Sequence, residues 1–78
     1  MVLSVVSGRK VVKALTKAGF EVAGRRGSHI KLKKKVDGKV FVVIVPEHAE
    51  LAKGTLKAIL RQANITREDF LKLIKSKA

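Results

Sequence analysis

Cysteine is absent from this 78-residue chain, so neither a disulfide framework nor a thiolate zinc site can stand in for an apolar core. Tryptophan and tyrosine are absent as well. The three aromatic residues, Phe20, Phe41 and Phe70, all fall at apolar positions of their segments, so no platform for base stacking is evident. Acidic residues are scarce: 6 Asp and Glu stand against 18 Lys and Arg, a formal net charge of +12. The few near the second histidine, Glu47 and Glu50 beside His48, form no recognisable metal-ligand pattern, and no metal or other cofactor is expected. Long hydrophobic runs are missing too, since nothing approaches the ~20 apolar residues of a membrane span. The leading Met1-Val2-Leu3-Ser4-Val5-Val6 is shorter than a signal h-region and has no basic residues ahead of it, so a cytoplasmic protein is expected.

What is present is one short, basic unit. A chain of this length buries only about 60% of the surface it exposes when unfolded, so its core must be small and built from valine, leucine and isoleucine. With no linker, repeat or low-complexity stretch, residues 1–78 read as a single domain. The charge excess points to an anionic partner, and nucleic acid is the commonest for a small basic domain. The plainer alternative is solubility through surplus charge.

Ser7 reads as an N-cap, with Val6 and Val11 spaced for a hydrophobic staple, and Gly19 suits the left-handed position that ends a helix. A helix is therefore predicted over residues 8–18, with Val11, Ala14, Leu15 and Ala18 as its buried stripe and Lys10, Lys13 and Lys17 outside. Residues 20–25 read as a strand with Phe20 and Val22 on one face, followed by a turn at Arg26-Gly27-Ser28. Ile30 and Leu32 then alternate with His29, Lys31 and Lys33, the period-two pattern of a half-buried strand.

Asp37-Gly38 is a type I′ turn signal, and residues 39–45 form a valine-rich strand, so these two strands should make a hairpin. With a two-residue loop, Leu32 faces Val43 and Lys31 faces Ile44. Phe41, Val43 and Val45 then join Ile30 and Leu32 in the core, and Val40, Val42 and Ile44 lie beside the lysines. A three-residue loop would invert this parity. The apolar row of Val40, Val42 and Ile44 reads either as a partner or dimer surface or as a strand covered on both faces. Pro46 ends the strand, and residues 47–53 form a loop carrying His48. Gly54-Thr55 opens a helix with Leu56, Ile59, Leu60 and Ala63 as its stripe and Asn64 as a left-handed terminator. Thr66 and Asp69 resemble a capping box for a last helix over residues 67–75. The order helix, three antiparallel strands, helix, helix gives a two-layer α+β fold, α-β-β-β-α-α, like a double-stranded-RNA-binding domain with a helix added.

His29 shares the polar face of its strand with lysines, which argues against a core histidine. Arg25, Arg26, Lys31, Lys33, Lys34 and Lys35 place positive charge on either side of it. As RNA-binding residues we expect Arg25, Arg26, Lys31, Lys33 and Lys35, which would contact phosphates, with Gly27 lending backbone freedom and Ser28 serving either a phosphate or the turn.

Several ordered motifs resemble the HicA-type mRNA interferase toxins of bacterial and archaeal toxin–antitoxin pairs. They are a first helix ending in Lys17-Ala18-Gly19-Phe20, the Gly27-Ser28-His29 step, Val45-Pro46-Glu47-His48, and Gly54-Thr55-Leu56 followed by Ile59-Leu60-Arg61-Gln62-Ala63. The resemblance covers nearly the whole sequence and departs at Leu32, where family members often carry an aromatic residue, and at the basic run Lys33-Lys34-Lys35. It implies a double-stranded-RNA-binding-like fold, metal-independent endoribonuclease activity on mRNA, and control by a cognate HicB-type antitoxin. The family's catalytic histidine follows Gly-Ser, which corresponds to His29 here; His48 matches the histidine after Pro-x, as a second proton-transfer group or an RNA-positioning one. The competing reading is a non-catalytic double-stranded-RNA-binding module, which needs the basic face and has no use for an imidazole on it. A third reading is a protein-interaction domain built on Val40, Val42 and Ile44, which would serve a homodimer or a hetero-oligomer with the antitoxin.

Overall fold

In the computed structural model, which describes residues 6–75, the elements run α1 (Gly8–Lys17), β1 (Glu21–Arg26), β2 (His29–Val36), β3 (Lys39–Pro46), α2 (Lys53–Ala63) and α3 (Arg67–Lys75). The apolar run expected to be too short for a signal segment lies, apart from Val6, outside the described residues.

Helix α1 begins where Ser7 Oγ accepts from the Lys10 amide at 3.2 Å, and Val6 and Val11 are both buried in the manner of a staple. It ends in a left-handed Gly19 (φ +102°), with the Phe20 amide donating back to the Leu15 carbonyl at 3.0 Å. Lys10 and Lys13 are exposed as expected. Lys17 is not: it is half-buried, its Nζ donates to the Leu73 carbonyl at 3.4 Å, and the cause is the docking of α3 against α1.

The sheet is antiparallel in the order β1-β2-β3. Asp37 (φ 50°) and Gly38 (φ 80°) both take left-handed backbone, as a two-residue I′ turn requires. Leu32 therefore pairs with Val43 and Lys31 with Ile44, the predicted register. Ile30, Leu32, Val43 and Val45 are buried with Val11, Leu15 and Phe20 beneath the helices, and Phe41 packs partly buried against them. Val40, Val42 and Ile44 remain on the uncovered face.

Strand β1 is less regular than its sequence pattern. Its register to β2 slips between Val22 and Gly24, so Ala23 is an extra residue that opposes nothing on β2. Phe20 lies just ahead of the strand and is buried. Val22, opposite Leu32, is 55% exposed because the helices lie mainly over β3 and leave this edge bare.

Helix α2 buries Leu56, Ile59, Leu60 and Ala63 and ends on left-handed Asn64 (φ 56°), with the Ile65 amide returning to the Leu60 carbonyl at 3.0 Å. Thr66 Oγ1 accepts from the Asp69 amide at 3.1 Å to start α3, whose Phe70 is fully buried. The result is the α+β order α-β-β-β-α-α, with one face of the sheet under helices and the other open.

Candidate functional site

His29 is the first residue of β2, fixed there by the turn before it. Gly27 has φ +60° while Ser28 does not enter the left-handed region, the pattern of a II′ hairpin loop with glycine at its first position. A two-residue loop makes Arg26 the cross-strand partner of His29, and on the other side His29 pairs with Pro46. The hairpin tip is also fastened to the end of β3. The Glu47 amide donates to the Ser28 carbonyl at 2.6 Å, and Arg25 Nη2 pairs with Glu47 Oε2 at 3.0 Å.

Strand alternation then sorts the basic residues. His29, Lys31, Lys33 and Lys35 share the open face with Arg26, and all are exposed. At the His29 end, Gly24, Arg25, Arg26, His29, Lys31 and Ile44 line a shallow open depression. The structure thus brings together Arg25, Arg26, His29 and Lys31, while Lys33 and Lys35 continue the same face away from it. Gly27 and Ser28 form the rim at the turn.

Lys34 departs from the basic run in which the sequence sets it. Its parity is that of Ile30 and Leu32, so it points to the helix side. There its Nζ donates to the Ala18 carbonyl at 2.6 Å and sits 5.7 Å from the centre of the Phe20 ring. It ties β2 to the end of α1.

His48 lies two residues beyond the strand partner of His29, so both histidines occupy the same end of the sheet. Its side chain is exposed and does not line the depression. The backbone around it is tethered to the start of α1: the Gly8 amide donates to the His48 carbonyl at 2.9 Å, and the Leu51 amide to the Val6 carbonyl at 2.8 Å. Among the described residues, no group of three or more His, Asp or Glu could hold a metal ion.

Reading the sequence missed one participant, Glu47, and set the other, Ile44, beside the lysines without assigning it to the histidine's surroundings. Glu47 neutralises Arg25 and anchors the hairpin tip, and Ile44 forms an apolar wall of the depression. The signal for the first was available: the partner sum that pairs Lys31 with Ile44 also pairs residue 28 with residue 47.

The chain is thus a small α+β protein with one sheet face under helices and the other open, basic and carrying an exposed histidine. The family model for the HicA toxin of bacterial toxin–antitoxin systems matches residues 8–65, which takes in α1, the whole sheet and α2. The chain belongs to the HicA toxin family, and its role is that of a toxin whose counterpart is an antitoxin. Among curated proteins, none matches the chain. No helix among the described residues is long and apolar enough to cross a membrane.

Proposed function

We propose that the chain is a cytoplasmic, metal-independent endoribonuclease that cleaves mRNA and so inhibits translation, acting as one domain and held inactive by a HicB-type antitoxin. The observation that carries this reading is the exposed imidazole of His29 on a cationic strand face, beside Arg26 and Lys31 in an open depression.

Cleavage of this kind needs a base to take the proton of a 2′-hydroxyl, whose oxygen then attacks the adjacent phosphorus. It needs an acid to protonate the 5′-oxygen as the phosphorus–oxygen bond breaks, leaving a 2′,3′-cyclic phosphate and a 5′-hydroxyl. Histidine populates both protonation states near neutral pH and suits either role. His29 takes one of them. His48, at the same end of the sheet, is the candidate for the other or for holding the RNA. Arg26 and Lys31 supply the cationic donors that stabilise charge on phosphorus, and Lys33 and Lys35 extend the phosphate track along β2. Arg25 serves RNA only in competition with Glu47, which already engages it. The antitoxin would cover His29, with Val40, Val42 and Ile44 joining that contact.

Because His29 is exposed, His29→Ala should leave the thermal midpoint unchanged and lower cleavage of single-stranded RNA in chelator by ~10²–10⁴-fold. Undiminished cleavage would overturn the assignment. The rival reading, a non-catalytic RNA-binding module, has the order α-β-β-β-α in its favour; RNA bound but uncut by the intact protein would establish it. In either case affinity should fall steeply with salt, by a log–log slope of about 0.7 per phosphate contact on single strands.

A further inference from the structure

The two edges of the sheet are not alike. Strand β1 carries charges at Glu21, Arg25 and Arg26 and is kinked by the extra residue Ala23, both devices that discourage a further strand from pairing. Strand β3 has no such device along its length, with Lys39 and Pro46 standing only at its two ends. Between Lys39 and Pro46 it reads Val-Phe-Val-Val-Ile-Val, pairs with β2 in one unbroken register and has no charge in its interior.

Antiparallel geometry identifies which backbone groups that edge offers. A two-residue turn makes Val36 and Lys39 a hydrogen-bonded pair, and alternation extends this to the pairs at Phe41, Val43 and Val45. The bond between residues 28 and 47 falls on the same series. The N–H and C=O groups of Val40, Val42 and Ile44 therefore point away from β2. These are the same three residues whose side chains stand 55%, 40% and 42% exposed on the open face. Free backbone and bare apolar side chains coincide along one strand.

We infer that β3 is the docking edge for an acidic β-strand of the antitoxin, which extends the sheet by pairing with Val40, Val42 and Ile44. The inference rests on the antitoxin-partner reading and is independent of the cleavage reading. The choice of occupant follows from charge. Strand spacing puts the new strand about 10 Å from the Lys31, Lys33 and Lys35 column, one Debye length at about 0.1 M salt and slightly more than the ~8 Å of physiological salt, so carboxylates on the partner gain modestly and ammoniums lose, more so as salt is lowered. A second copy would bring another +12 to the same edge. RNA offers neither a peptide ladder nor β-branched side chains to meet the valine row. Main-chain bonds would supply affinity and the row would set the partner's alternation.

The test is amide hydrogen exchange on the full-length chain with a short peptide alternating valine and glutamate as the probe. We expect exchange at Val40, Val42 and Ile44 to slow by about tenfold or more while Phe41, Val43 and Val45, already paired, change little. A peptide with lysine in place of glutamate should give no slowing. Val42→Pro removes an outward N–H and no ladder bond, so it should abolish the effect, and Val42→Thr should retain it. If Val42→Pro fails to fold, exchange on the wild-type chain decides alone. The inference is overturned by unchanged exchange with the glutamate peptide, by slowing that rises with protein concentration in the absence of peptide, or by the same slowing with a short single-stranded RNA. None of these readouts depends on RNA cleavage.

Discussion

Along β2, Ile30 and Leu32 are buried while His29, Lys31 and Lys33, each one residue away, are exposed. The same backbone thus serves two solvents. From Ile30 to Lys34 its even-numbered side chains help hold the fold together, and its odd-numbered ones are free of the core. The division is a consequence of the two-residue period of a strand, and it lets a chain too short for a large core carry a site without spending core positions on it.

Substitutions that respect or violate this division should separate cleanly. The largest loss is expected on the covered face, where Leu32→Ala removes a fully buried side chain and should cost about 2–5 kcal/mol, read from the denaturation midpoint at constant m-value. Next comes the place where the covered side meets the end of β3. A Cβ on Gly8 would run into the Pro46 carbonyl, so Gly8→Ala should cost about 1–3 kcal/mol by lifting the start of α1. Ser7→Ala, which removes only the cap of that helix, should cost about 1 kcal/mol. On the open face Lys31→Ala should change stability by less than about 0.5 kcal/mol, while making the salt dependence of RNA affinity shallower by roughly one contact. A Lys31→Ala loss as large as that of Leu32→Ala would dissolve the distinction between the faces.

Most of the fold was legible because its signals are local. Ser7, Gly19, Asp37-Gly38, Asn64 and Thr66 each do at their positions what their chemistry favours, and the I′ loop length fixed the pairing of β2 with β3 residue by residue. His29 on the lysine face followed from alternation alone. Other features depended on contacts between distant segments. The bulge in β1 had only the isolated Gly24 beside Ala23 as a local signal, nothing in α1 tells that Lys17 reaches the Leu73 carbonyl, and the requirement for glycine at Gly8 is set by Pro46, across the sheet end. Arg25 was read as one of several equivalent cations; its pairing with Glu47 needed the fold. The placement of Lys34 was available from the same parity that placed His29, and was masked by the uniformity of the run around it.

That lysine gives the run Lys33-Lys34-Lys35 an uneven chemistry. To an amine-directed reagent, Lys33 and Lys35 are exposed ammoniums, whereas Lys34 is half-buried and engaged with the Ala18 carbonyl above Phe20. Acylating either neighbour erases a surface charge and little else. Acylating Lys34 unhooks the strand from the end of α1, so a block replacement of all three residues would report on the joint between strand and helix as much as on anything the open face binds.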